Sequence, residues 1–229
     1  MSAVISMTTI PSRITYLERC VESLVAQGLP VYVWLPRYVE RIGGGFNAVP
    51  GFLTEMDVHV EIVEDRGPAS KLLFALERFD TVITGDDDCI YGEGWAGGLL
   101  EWAKKRPRAA LGYRGRRFGE DLQYSNSQVI SGPNSPKWVH LITSSHGQLY
   151  RREFFDDSIF EEWRECPQND DIVFGAHLWR KDIPMLVIPR HFSLRRTKAK
   201  RVDPLYAINT QKNRNDEILP NLYLGWKTR

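Results

Sequence analysis

The chain of 229 residues is poor in the features that place a protein quickly. Its three cysteines, Cys20, Cys89 and Cys166, are odd in number, far apart and form no CxxC pair. Neither a disulfide framework nor a zinc cluster is therefore expected, and a reducing, cytoplasmic setting is. No run approaches the roughly 20 apolar residues of a membrane-spanning helix, and no basic leader precedes the short apolar stretch of MSAVISMTTIPSR, so a cleaved signal is not expected. Charge of one sign is lacking as well: 30 basic against 29 acidic side chains leave no global field to recruit nucleic acid or an anionic membrane. The absence of GxxxxGK(S/T) and of HExxH removes P-loop and zincin chemistries. Repeats, low-complexity tracts and linkers are missing too, so one domain is expected over residues 1–229.

What is there is alternation. Apolar runs at 3–7, 31–35, 58–63, 81–84 and 109–113 read as strands. Between them, amphipathic stretches follow 12–13, span 68–78 and span 93–105, the rhythm of a parallel sheet covered on both faces. Ser12 is placed to cap the first helix and Gly28 to end it. Residues 36–56, with Gly43, Gly44, Gly45, Pro50 and Gly51, read as a loop excursion. From 115 to 137 the texture turns polar, which suggests loops and short antiparallel strands; further strands are expected at 139–142, 147–150 and 185–188, and a helix at 170–180. The last forty residues read as a partly mobile tail wrapping the domain.

The strongest chemical signal is TVITGDDDCIY. It puts Asp86, Asp87 and Asp88 at the C-terminal end of a buried strand, the edge of an open α/β sheet where ligands bind. Adjacent carboxylates repel unless a cation is present, and Mg2+ or Mn2+ prefers such hard oxygen ligands while leaving sites for water and phosphate. The plainer alternative is a turn capped by aspartate, which one acidic residue would satisfy.

With this motif the chain resembles the glycosyltransferases of the GT-A fold, whose DxD motif follows a central strand of the nucleotide-binding half; the DDD form is also similar to the exostosin-type transferases. The resemblance implies a single α/β, Rossmann-like domain with a mostly parallel central sheet flanked by helices and a smaller antiparallel portion in the C-terminal half. Residues 1–114 would bind the nucleotide-sugar, 115–193 the acceptor, and 194–229 would form a tail or lid. It implies that Asp88 coordinates Mn2+ or Mg2+ bridging the donor phosphates, that Asp86 reaches the ribose or sugar or the metal, and that Asp87 shares either role. Thr8, Thr9, Pro11 and Arg13 in TTIPSR would cradle base and ribose; Asp65, Arg66 and Lys71 in EDRGPASK would touch base and donor, although an exposed lysine is often merely solvated. His146 and Gly147 in SSHGQLY would lie beneath the donor sugar. In CPQNDDIVF, Asp171 would be the catalytic base and Asp170 its partner, although both also suit a helix start. His191 in PRHFSL would be a further metal ligand, or simply structural.

Arg190, Arg195, Arg196, Lys198, Lys200 and Arg201 cluster in a dozen residues and would close over the pyrophosphate, meet an acidic lipid surface or stay solvated. Trp95, Tyr124, Trp138 and Trp163 are candidates for stacking an acceptor sugar. The expected reaction is transfer from a UDP-sugar to a hydroxyl of a glycan acceptor, with inversion. A retaining transferase, a nucleotidyltransferase and a module holding structural Ca2+ are the alternatives; TTIPSR lacks the glycines of a nucleotidyltransferase phosphate loop.

Overall fold

The structure is a computed structural model that describes residues 3–205, 207, 209 and 214–226. Strand β1 (Ala3–Thr8) sends Ile5 and Met7 to one side and Val4 to the other. Helix α1 (Ile14–Val25) buries Leu17, Cys20, Val21 and Leu24 at helical spacing against the first of those faces. It follows a 3-10 turn, Pro11–Arg13, and Ser12 does not cap it, since its first residue is preceded by Arg13 without a side-chain bond. Gly28 turns the chain at φ 73°, where any other residue would be strained.

Next come β2 (Val31–Pro36), a short helix α2 (Gly51–Thr54), β3 (His59–Val63) and α3 (Ser70–Leu76). They are followed by β4 (Thr81–Thr84), β5 (Cys89–Tyr91), α4 (Trp95–Lys105), β6 (Ala110–Gly112), β7 (Arg114–Arg117) and β8 (Gln128–Ser131). The chain continues with β9 (Lys137–Val139), β10 (Leu141–Ile142), β11 (Gln148–Arg151), α5 (Ile159–Glu162), α6 (Asp170–Arg180), β12 (Met185–Val187), β13 (Leu194–Arg196) and α7 (Arg214–Leu222).

The main sheet has the order β3-β2-β1-β4-β11-β6-β12-β9. Most of its strands run one way; β11 and β9 run against them. One apolar layer, containing α1 and α4, covers one face; α3 and α6 cover the other. Two small antiparallel sheets, β10-β7-β8 and β13-β5, flank it.

Three expectations are corrected. The apolar run 139–142 is divided between two sheets, because β9 pairs with β12 while β10 pairs with β7. The excursion at 36–56 contains an isolated bridge, Val39 to Gly44, and the short helix α2. The tail is more regular than its pattern suggests, with β13, a 3-10 turn at Lys198–Arg201 and α7, whose Leu219 and Leu222 are buried. Positions 206, 208, 210–213 and 227–229 of that tail lie outside the described residues.

Candidate active site

The acidic loop is held from below by neutral groups that accept as well as donate. Gly85 N donates to Ser6 O at 3.0 Å and Asp86 N donates to Tyr91 Oη at 2.8 Å. The thiol of Cys20 on α1 donates to Asp87 O at 3.1 Å, and burial pushes that thiol up to about 12, so it stays protonated. These contacts leave the three carboxylates facing the cleft at the carboxyl edge of β4.

Each carboxylate then meets a different cation. Lys71 Nζ on α3 lies 3.0 Å from Asp86 Oδ1 and 3.1 Å from Asp170 Oδ2, the second an ion pair without hydrogen-bond alignment. Arg13 Nη1 lies 2.7 Å from Asp87 Oδ1, while Thr9 Oγ1 donates to Asp87 Oδ2 at 2.8 Å. Arg196 on β13 pairs with Asp88. Burial works against ionisation of Asp86, but Lys71, with Arg196 and Arg13, outweighs it and holds that carboxyl below its ordinary value. Asp87 is raised, burial outweighing Arg13 and Thr9. Burial likewise opposes the charge of Lys71, and Asp170, Asp86 and Asp171 reverse that and raise it. Lys71 is only 4% exposed, so the expectation of an ordinary solvated lysine fails. The need for a cation at the triplet is thus met in part by the chain itself.

The opposite wall is built on β7, β11 and the start of α6. Asp171, in the first turn of α6, accepts Ser144 N at 3.0 Å and Gln148 Nε2 at 3.0 Å through Oδ1. Gln148 is fully buried on β11 and also accepts Thr84 Oγ1 at 3.0 Å, which ties Asp171 to the end of β4. Burial, and then the neighbouring charge of Asp170, push the Asp171 carboxyl up to about 7. His146 is driven down to about 4 by burial and by Arg114, Arg190 and Arg196, so its imidazole is neutral at physiological pH.

Between the walls lies a cleft of about 870 Å3. Among the expected residues, Thr8, Thr9, Arg13, Asp65, Lys71, Asp86, Asp87, Asp88, His146, Asp170 and Asp171 line it. Asp65 is fixed by Gly67 N at 2.8 Å and raised by burial. Pro11, Arg66, Gly147 and His191 do not line it. Pro11 opens the 3-10 turn before α1, and Arg66 is turned to Glu77 at 2.8 Å and over Phe74. Gly147, at φ 102°, lies against the Trp95 indole, where a Cβ would come 2.4 Å from Nε1; it is a packing glycine. His191 is exposed and lies outside the group of Asp86, Asp88 and Cys89 that could share an ion.

Of the basic cluster, Arg196 and Lys200 reach the cleft. Of the four aromatics, Tyr124 and Trp163 line it. Trp95 is buried and stacked on Tyr91 at 4.1 Å, and Trp138 stands edge-on to His140 at 4.2 Å. Sequence reading missed Arg41, Arg114, Arg116, Ser144 and the orienting role of Gln148. The alternation Arg-Gly-Arg at 114–116 was a signal for two of these, since period two aims both arginines to one face.

By sequence the chain matches no family model and no curated protein. By structure it is similar to residues 1–349 of S. aureus TarS, with a TM-score of 0.52 and 15% identity over 98% of this chain and 71% of that one. It is also similar to GalNAc-T7 solved with UDP, GalNAc and Mn2+, with a TM-score of 0.61 and 11% identity over 87% of this chain and 45% of the other, so it spans less than half of that protein's length. Likeness at such identities establishes the fold alone, and the fold is the GT-A fold of the glycosyltransferases.

Proposed function

We propose that the chain is a metal-dependent glycosyltransferase that moves a sugar from a nucleotide diphosphate donor, a UDP-sugar, to a hydroxyl of a glycan, with inversion. One observation carries the reading: a carboxyl pushed up to about 7, Asp171, faces the acidic end of β4 across a cleft large enough for a nucleotide-sugar. The GalNAc-T7 structure, which holds UDP, GalNAc and Mn2+ in the same fold, supports the choice of donor and ion.

The residues fit a hard divalent cation. Ligand atoms of Asp86, Asp88 and Cys89 lie within 4.8 Å of one another. Burial raises the Cys89 thiol and keeps it protonated, so Asp86 and Asp88 would hold Mn2+ or Mg2+ through oxygen. Such an ion would neutralise charge on the departing diphosphate. Arg196 and Lys200 supply positive charge to the same group. Thr8, Thr9, Arg13 and Asp65 form the wall for base and ribose, and His146 offers a neutral donor or acceptor to the sugar.

On the other wall Asp171 takes the proton of the attacking hydroxyl. Ser144 N and Gln148 Nε2 hold its Oδ1 in place, and its matched pKa lets it accept the proton without being fully protonated beforehand. Lys71, fixed between Asp86 and Asp170, offsets part of the charge that these acids present to Asp171. No described helix is long and apolar enough to cross a membrane.

The test is a thermal-shift screen of UDP, GDP, CMP and dTDP with and without Mn2+. UDP and Mn2+ together should raise the melting temperature more than the sum of the two alone, and Asp88→Asn should abolish that synergy. Equal shifts for all nucleotides, unaffected by Mn2+ or by the substitution, would defeat the reading.

A further inference from the structure

Among the described residues, two arginines on the wall that carries Asp171 form no ion pair. Arg114 and Arg116 both line the cleft and lie two residues apart on β7, so they share a face. Gly115 between them sits against Leu141 O, Val187 and Val139, where a Cβ would come within 2.6 Å of the carbonyl, so the strand cannot rotate its arginines away. Arg114 Nη1 donates to Thr143 Oγ1 at 3.0 Å; Arg116 Nη1 donates to Tyr124 O at 3.1 Å and Ser127 Oγ at 2.8 Å. All three acceptors are neutral. Among the described residues neither guanidinium forms an ion pair.

This arrangement is costly without an anion. Burial, and then the adjacent Arg116, lower the pKa of Arg114, and the nearby Asp171 carboxyl offsets this only in part. Arg116 is braced by the Tyr124 ring, 3.9 Å from its guanidinium carbon, and Tyr124 is anchored by Asp216 on α7 through its backbone N–H. Thr143, which holds Arg114, is followed by Ser144, which holds Asp171. The two positive groups therefore stand beside the proposed base and, unlike Arg13, Lys71 and Arg196, are not engaged by the acidic triplet in any described ion pair.

We propose that Arg114 and Arg116 form a subsite for a negatively charged group on the acceptor, a carboxylate or phosphate carried by the sugar whose hydroxyl faces Asp171. The proposal rests on the transferase reading for the word acceptor, while the anion subsite itself rests on the two arginines. Guanidinium groups suit both anions because they donate in a fork that matches two oxygens.

The test measures binding of methyl glucoside, methyl glucuronide and glucose 6-phosphate to the full chain, with and without saturating UDP and Mn2+. The two anionic probes should bind about tenfold more tightly than the neutral one, an effect of the size that one charge-assisted contact supplies. Arg114→Gln and Arg116→Gln should each remove that preference, Arg114→Lys should restore part of it, and melting temperatures should show that the variants fold. UDP with Mn2+ should leave the anionic probes bound. Equal binding of neutral and anionic probes overturns the proposal, as does displacement of the anions by UDP, which would assign the arginines to donor phosphates. An arginine-dependent preference for UDP-glucuronate over UDP-glucose overturns it too, since the charge would then belong to the donor sugar. Loss of UDP binding with anion preference intact would instead sink the transferase reading and leave the anion subsite standing.

Discussion

The two walls of the cleft treat charge in opposite ways. On the wall at the end of β4, Asp86, Asp87 and Asp88 each face their own cation, and Lys71 serves a second acid, Asp170, as well. On the wall that carries Asp171, the hydrogen bonds to that carboxylate come, among the described residues, from the uncharged groups of Ser144 and Gln148, and those from Arg114 and Arg116 go to neutral oxygens. Matched charges fix geometry, whereas unmatched ones remain available to take a proton or an ion. The contrast separates a wall of paired charges from a wall of unpaired ones, which on the proposed function is the wall that reacts.

The sharpest way to break this comparison is Asp171→Asn. If the unmatched carboxyl is the base, transfer should fall by about a thousandfold, within the usual range for losing a general base, while UDP affinity changes by less than about twofold. A transfer rate close to wild type would return Asp171 to a structural helix start. Next in size, Lys71→Met should strip the buried Asp170 and the half-buried Asp86 of their partner and cost about 3 kcal/mol, read as a lowered denaturation midpoint. Asp170→Asn in the same chain should recover part of that loss. An unchanged midpoint would mean that the grip is not electrostatic.

The smallest effect is in pH. Because burial and Asp170 raise the Asp171 carboxyl to about 7, the rate should climb as pH rises toward 7 and level off above it. Linkage fixes the companion sign: between the ordinary carboxyl value of 3.8 and about 7 the folded chain binds more protons than the unfolded one, so this residue makes stability fall as pH rises through that window. In Asp171→Asn that slope should vanish, and the variant should melt roughly 2–4 °C higher than wild type at pH 8 for each kcal/mol relieved.

Local signals were legible and distant ones were not. Strand β4 and helix α6 fall where their patterns place them, because a buried apolar run ending in aspartates and a helix opening on Asp170 and Asp171 are written in adjacent residues. The reversed strand β11 between β4 and β6, and the pairing of β13 with β5, depend on partners far along the chain, which periodicity does not report. The same limit applies to two candidates that do not line the cleft. His191 and Gly147 stand in suitable places by order, but exposure of one and the Trp95 indole against the other were decided by packing. Lys71 looks like an ordinary helical lysine until α6 brings Asp170 over it.

That ammonium has a mechanical consequence. It joins segments from the two halves of the domain, one through Asp86 and the other through Asp170, on the floor of the cleft where the ammonium itself is buried. Swinging the halves apart like a hinge would leave a buried acid without its counter-ion, at a cost of about 3–5 kcal/mol. Substrate traffic must therefore pass over a floor that stays riveted. Adjustment is left to the rim, where Arg13 and Arg41 grip the carbonyls of Val202 and Asp203 by single hydrogen bonds that water can readily replace.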